Sequence, residues 1–245
     1  MIHVYDTQSK SVHQNHSRLS FSNVPESSQS NSGNKKSIIT SFKLINAQHE
    51  PMFLTGTDDR IVRLFKPDLM YYRSNQLVTA FTAFHKNEKQ SSSHKEAGLI
   101  IEWDEPNEIL LCAGDTGHIR VWDMTKELYT DYKTDVNSCV SSLSKQDNYT
   151  VAGFGDGTIK LFDFRRPNPI VMNGMDSKSS LMHQHNVFVL KVQIHKPTFK
   201  LISSSTRGDV NIYDLRNSRN YLKGPINNEM ATAVECHPIN ELIAV

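Results

Sequence analysis

The sequence predicts an all-β chain built as an array of β-propeller blades, and three observations carry that reading. A polar Gly/Asp turn, then alternating apolar and polar residues closed by aromatic-Asp, recurs along the chain. The short β runs around each copy keep one order. The i, i+3, i+4, i+7 spacing of an amphipathic helix is not sustained anywhere.

The clearest copy runs Ala113-Gly114-Asp115-Thr116-Gly117-His118-Ile119-Arg120-Val121-Trp122-Asp123. Gly153–Asp163, Gly56–Lys66 and Ser204–Asp214 repeat its shape, and Ile2-His3-Val4-Tyr5-Asp6 is a clipped copy. Copies spaced roughly 40–60 residues apart mark an array of one supersecondary unit.

Each unit reads as four strands. Gly98–Asp104 is apolar on both faces and suits an innermost strand. The turn residues Glu105-Pro106-Asn107 lead into Glu108–Gly114. His118–Asp123 alternates, with Ile119, Val121 and Asp123 on one face and Arg120 and Trp122 on the other. Lys126–Thr134 is more polar, as suits an outer edge. Four short antiparallel strands growing more polar outward describe a propeller blade.

The same order gives three further blades. The first uses Ile38–Ile45, Pro51–Thr57, Arg60–Lys66 and Gln76–Phe84; the second Cys139–Lys145, Tyr149–Gly155, Thr158–Phe164 and Pro169–Met175. The third uses Val187–His195, Lys200–Thr206, Asp209–Leu215 and Asn220–Ile226. Partial blades lie at both ends: Ile2–Asp6 with about Arg18–Val24, and Ala231–His237 with Glu241–Val245. Residues 1–245 thus read as one partial propeller, a fragment of a larger, seven-bladed ring. Two stretches interrupt it, at about 7–37 and 85–96. They are Ser-, Asn- and Gln-rich and too poor in apolar residues to repay ordering entropy, so both are expected to be flexible loops.

Composition narrows the function classes. A net charge of +1 with a pI near 7.8 offers no global field for nucleic acid or an anionic surface. No apolar run reaches the ~18 residues of a membrane span. Three cysteines, Cys112, Cys139 and Cys236, each sit in an apolar strand-like run, which argues for a reducing compartment rather than a disulfide framework.

Chemistry-bearing constellations are weak. His183 with His185, and His13 with His16, lack the further Cys or carboxylate ligands a metal needs. Gly153-Phe154-Gly155-Asp156-Gly157 precedes a strand, not a helix, and so reads as a β-turn rather than a phosphate cradle. Ser203-Ser204-Ser205 lacks a nucleophile elbow. Asp104, Glu105 and Glu108 flank a turn expected to be wet, which disfavours a raised-pKa acid. Arg165-Arg166-Pro167 reads as a solvated basic corner. No catalytic, cofactor or metal residues are expected, and the partner-binding residues are left open.

Aromatic-Asp closing each unit, with Gly-x-x-Asp before it, resembles the WD repeat. The residues that fit its pattern are Asp6, Asp59, Trp122, Asp123, Asp156, Asp163 and Asp214. The resemblance implies that Asp59 and Asp156 accept hydrogen bonds from turn N–H groups. Lys66 replaces one terminal Asp, and Thr116 and Arg207 replace the turn Asp in two units.

Longer runs are more particular. Ala97–Trp103, Gly114-Asp115, Ile119–Asp123, Asn137–Leu143, Val151-Ala152-Gly153, Asp156–Lys160, Gly208–Val210, Tyr213-Asp214, His237-Pro238 and Leu242–Ala244 resemble, in order and spacing, the C-terminal propeller of the Raptor family, the regulatory-associated proteins of TOR. Thr55–Asp59 fits upstream. The resemblance implies a non-catalytic scaffold of a TOR complex 1 subunit, serving TOR kinase substrate recruitment and nutrient-dependent growth signalling. Its partners would be TOR kinase and other TOR complex 1 subunits or substrates, reached through the full-length protein. It would be cytoplasmic, recruited to lysosome or vacuole surfaces, with no nucleic acid and no membrane insertion. The alternatives are an unrelated WD-repeat adaptor, in ubiquitin ligation or trafficking, and a propeller enzyme using a central channel.

Overall fold

A computed structural model of the chain describes residues 2–4, 19–21, 37–67, 76–85, 97–166, 168–170, 183–184, 187–216, 219–225, 231–237, 239–240 and 243–244. Asp6 and nearly all of the expected loops at 7–37 and 85–96 lie outside the described residues. The chain divides into two compact units, Met1–Lys86 and Asn87–Val245. Among the described residues regular structure is almost entirely strand; a 3-10 turn, Glu105–Asn107, joins two strands of the second unit.

In the first unit β1 (Ile2–Val4) pairs antiparallel with β2 (Leu19–Phe21). A four-stranded antiparallel sheet follows in the order β3 (Ile39–Ile45), β4 (Met52–Thr57), β5 (Ile61–Lys66), β6 (Gln76–Thr82). β5 buries Val62 on one face and Phe65 on the other, and Phe53, Leu54, Ala83 and Phe84 are buried in the same unit.

The second unit holds three four-stranded meanders of the same order. They are β7 (Leu99–Asp104), β8 (Ile109–Gly114), β9 (His118–Asp123) and β10 (Leu128–Lys133); β11 (Val140–Gln146), β12 (Tyr149–Phe154), β13 (Thr158–Phe162) and β14 (His183–Gln184); and β15 (Val189–His195), β16 (Lys200–Ser205), β17 (Asp209–Asp214) and β18 (Arg219–Pro225). A last pair, β19 (Glu235–Cys236) with β20 (Ile243–Ala244), follows.

The repeat is visible in register. Phe65, Trp122, Phe162 and Tyr213 each sit opposite the second residue of the preceding strand, respectively Phe53, Leu110, Thr150 and Leu201. One backbone bond recurs in all four sheets. The residue after the second strand donates its N–H to the residue before the first: Asp58 to Ile38 at 3.0 Å, Asp115 to Gly98 at 3.3 Å, Gly155 to Cys139 at 3.0 Å and Thr206 to Phe188 at 3.1 Å. Gly114, at φ +137°, is required at one of these joints, because a Cβ there would lie 1.8 Å from the Gly98 carbonyl oxygen.

Within the second unit the first strand β11 lies against the first strands β7 and β15 on its two sides. β11 and β15 also stack on the second and third strands of the sheet before each of them. Leu111, Ala113 and Ile119 thus pack on Val140 and Leu143, and Val151, Ile159 and Leu161 on Val189 and Val192. Ile119 and Ile159 are fully buried in these seams. The second seam is so close that a Cβ on Gly153 would lie 2.5 Å from Val189 Cγ1 and 3.0 Å from Val192 Cγ1. Serine hydroxyls satisfy part of the inner edge of β15. Ser142 and Ser144 accept the N–H groups of Val192 and Ile194 at 3.0 and 3.1 Å, and Ser141 donates to the Val189 carbonyl at 2.7 Å.

β13 pairs with His183–Gln184; of the strand expected at Pro169–Met175, Ile170 forms an isolated bridge to Phe162 and residues 171–175 lie outside the described residues. The chain turns tightly there: Asp163 N–H donates to the Pro169 carbonyl at 2.7 Å. Pro167 and Pro169 bring no N–H to a ladder.

Ile159→Asp is expected to unfold the second unit, since an unpaired buried carboxylate costs several kcal/mol, roughly 3 or more. Gly153→Ala should destabilise by about 1–3 kcal/mol through overpacking against Val189. In urea melts, Gly153→Ala with Val189→Ala should cost less than the two single changes added, because the smaller side chain makes room for the new methyl. Strict additivity would disprove the close seam.

Candidate functional site

In a meander, the first-to-second and third-to-fourth turns share one end of the sheet, and the second-to-third turn lies at the other. The sequence-selected carboxylates divide accordingly. Asp123, Asp163 and Asp214 stand where the third strand ends; Asp59 and Asp156 stand in second-to-third turns. They are spread one to a turn, and among the described residues no three His, Cys, Asp or Glu gather as a metal-ligand group.

Each carboxylate closes its own turn. Asp123 accepts from Lys126 N–H at 3.0 Å, Asp163 from Arg165 N–H at 3.2 Å and Asp214 from Arg216 N–H at 2.9 Å. Asp156 accepts from Thr158 N–H at 2.9 Å. Asp59 accepts from Ile61 N–H at 3.3 Å, from the Thr57 hydroxyl and from Arg63 Nη2 at 3.0 Å. Where Thr116 and Arg207 replace the turn Asp, the pattern changes. Thr116 donates to the His118 carbonyl at 3.1 Å, and Ser205 Oγ accepts from Arg207 N–H at 3.2 Å. Trp122 packs on Tyr129 with the rings tilted by 48° and their centroids 4.7 Å apart.

Asp163 is the most perturbed of these acids. Its carboxylate is buried beneath Arg165, whose guanidinium lies 2.7 and 2.8 Å away, and Arg166 stands at 3.5 Å. The Arg165 hydrogen bonds, outweighing burial, hold its pKa down at about 2. Arg165 and Arg166 therefore lean on Asp163 and are not simply a solvated corner. At Asp59 burial pushes the pKa up, but the hydrogen bonds from Arg63 and Thr57 outweigh it and leave the acid below its ordinary range.

The turn itself, residues 105–108, is exposed as expected, and Asp104 at its edge is the exception. Asp104 is largely buried, accepts from Asn107 Nδ2 at 2.8 Å and is ion-paired with Lys145 of the next sheet. Glu108 and Glu105 are exposed, and Glu108 accepts from Thr125 Oγ1 at 2.7 Å. Sequence reasoning also missed two buried cations. Arg120 is 3% exposed, forms a bidentate pair with Asp131 at 2.7 Å and lies 4.0 Å over the Tyr129 ring. Only the register Arg120↔Asp131 could have signalled it. Lys160 donates to the Thr134 and Asp135 carbonyls at 2.9 and 3.1 Å, and burial depresses its pKa against the pull of Asp135 and Asp156. Its sequence carries no signal of this.

Among the remaining motif residues, His13, His16 and His185 lie outside the described residues. Gly157 N–H closes the glycine-rich segment as a β-turn onto the Phe154 carbonyl at 3.1 Å. Ser203, Ser204 and Ser205 are buried in β16. The three cysteines are free and buried, and burial raises each thiol's pKa away from thiolate chemistry.

The model of the WD domain, G-beta repeat, matches residues 125–163, from the outer strand of one sheet to the end of the third strand of the next. A Target of rapamycin complex 1 subunit mip1 from Schizosaccharomyces pombe is 26% identical over 204 residues, 81% of this chain and 15% of its own length. A raptor homolog from Dictyostelium discoideum is 28% identical over 219 residues, 84% of this chain and 14% of its own. The crystal structure of Chaetomium thermophilum Raptor superposes with a TM-score of 0.67 at 26% identity, covering 84% of this chain and 18% of that one. The chain thus carries a WD repeat and resembles the Raptor proteins over more than four-fifths of its length. It spans about 15% of the length of the curated relatives it matches. Among the described residues, no helix is long and apolar enough to cross a membrane.

Two turn predictions follow from these contacts. Asp156→Ala should cost about 1–3 kcal/mol in a denaturant melt by removing the acceptor for Thr158 N–H. The Asp163 carboxylate has a folded pKa near 2, below its unfolded value of about 3.9. Its contribution is complete above the unfolded value and is lost as pH falls through the folded one. The stability gap between wild type and Asp163→Asn should therefore be constant near neutrality and narrow between about pH 4 and pH 2. A gap independent of pH over that range would show the Arg165 pair to be inert.

Proposed function

We propose that the chain is a non-catalytic scaffold module of a TOR complex 1 subunit, acting in the cytoplasm and at lysosome or vacuole surfaces and supporting the recruitment of TOR kinase substrates. The observation that carries this reading is the extent of the similarity. It runs through more than four-fifths of the chain in relatives named as TOR complex subunits and raptor homologs, not through one repeat alone. Fold by itself would not distinguish this role, because WD-type propellers serve many unrelated assemblies.

The geometry supports a binding role. The turn carboxylates each engage a neighbouring N–H, and several are ion-paired, which fixes the rims as rigid surfaces. Rigid surfaces bind partners at low ordering cost.

Tagging the gene at its own locus and capturing the product from cell extract should recover TOR kinase, identified by mass spectrometry. Recovery of a ubiquitin ligase or a coat complex without TOR kinase would refute this function and leave the fold unaffected.

A further inference from the structure

The four four-stranded sheets end in outer strands of different character. β10 carries Asp131 and Lys133; β18 carries Arg219, Lys223 and Pro225; β14 is only two residues long. Charge, proline and brevity are the means by which edge strands avoid pairing with other chains. β6 has none of the three. Its seven residues, Gln-Leu-Val-Thr-Ala-Phe-Thr, include no charge and no proline. Leu77 and Val78 are 37% and 50% exposed. A bulge opposite Leu64–Phe65 leaves Val78 out of register, but Thr79–Thr82 pair regularly with β5.

The ladder identifies the open groups. Ala83 donates its N–H to the Arg60 carbonyl at 2.9 Å, on the β5 side. In an antiparallel pair the inward and outward residues alternate. Phe81 and Thr79, opposite Val62 and Leu64, therefore bond inward, and the N–H and C=O groups of Ala80 and Thr82 point away from the sheet. Among the described residues β6 is the last strand of its sheet.

The geometry points to β6 as a docking edge for an extended, uncharged segment of a protein partner, added to the sheet as a fifth strand. Main-chain bonds to Ala80 and Thr82 would supply affinity, and alternate side chains beside Leu77, Val78 and Phe81 would supply selectivity. A folded second copy is a poorer occupant. Seven residues at ~3.4 Å each give an edge about 24 Å long and about 10 Å deep, on the order of 250 Å² per side. A stable interface between folded proteins needs roughly 800 Å² per partner. A linear segment needs far less, and an uncharged one meets no unpaired charge along this edge. The inference is independent of the TOR complex reading and stands or falls apart from it.

The probe is a capped eight-residue peptide alternating threonine with N-methylvaline. Its methylated edge prevents stacking on itself and leaves one edge free to pair. Hydrogen exchange of the whole chain is followed by NMR. Ala80 and Thr82 amides should exchange at least about fivefold more slowly at four-fifths occupancy, with the outward amides of β10, Tyr129 and Asp131, unchanged. Ala80→Pro removes an outward N–H and leaves the β5 ladder intact, so it should abolish binding while the fold melts normally. Ala80→Glu, opposite Arg63, adds edge charge without a like-charged neighbour and should weaken binding if the proline variant fails to fold. No protection at Ala80 and Thr82, equal protection on β10, or unimpaired binding by both variants would overturn the assignment. So would a concentration-dependent dimer of the chain alone that Ala80→Pro abolishes, since it would assign the edge to self-pairing.

Discussion

The second unit depends on how closely one sheet can approach the next. At the seam where β15 crosses β12, Val189 and Val192 occupy the volume that a side chain on Gly153 would need. That approach seals Ile159, Val151 and Leu161 from water and places β15 within reach of the serines of β11. A larger residue at 153 would hold the sheets apart and expose both the apolar seam and the inner edge of β15. Packing as dense as this leaves little slack, so small volume errors propagate.

Polar pins complement the apolar seams. Lys160 of β13 reaches the carbonyls of Thr134 and Asp135 behind the first sheet of the unit, and Lys145 pairs with Asp104 across the same seam. Buried charges of this kind add little net stability, because desolvation offsets the attraction. Losing one partner costs far more than the pair contributes, and that asymmetry penalises any other alignment of the sheets. Tyr132, which stacks on Phe164 and donates to its carbonyl, adds a contact of the same type without burying a charge.

A molecule assembled this way presents its chemistry on edges and turns. Asp163 and Asp59, whose acids are held below the ordinary carboxylate range by their arginine partners, are spent on holding turns. Rigid rims and differently protected outer strands are the features that distinguish one part of the surface from another.

The sequence determined the repeat. Alternation in segments such as Ile119–Asp123 and Thr158–Phe162, punctuated by Gly/Asp turns, is local, and it fixed the strands, their order and the matched places of Trp122 and Phe162. The turn acceptors were legible for the same reason: Asp156 and Thr158 are two residues apart. The pairing of β13 with His183–Gln184 carried no such local signal. Only the tertiary structure decided the pairings across seams. Lys160 and the Thr134 carbonyl lie 26 residues apart, Ser142 and Val192 lie 50 apart, and Lys145 and Asp104 lie 41 apart. None of these pairs is specified by strand period or turn chemistry. Each exists because sheet stacking, driven by burial of Ile119, Ile159 and their neighbours, brings distant residues to one seam, where a buried polar group must find whatever partner the packing supplies.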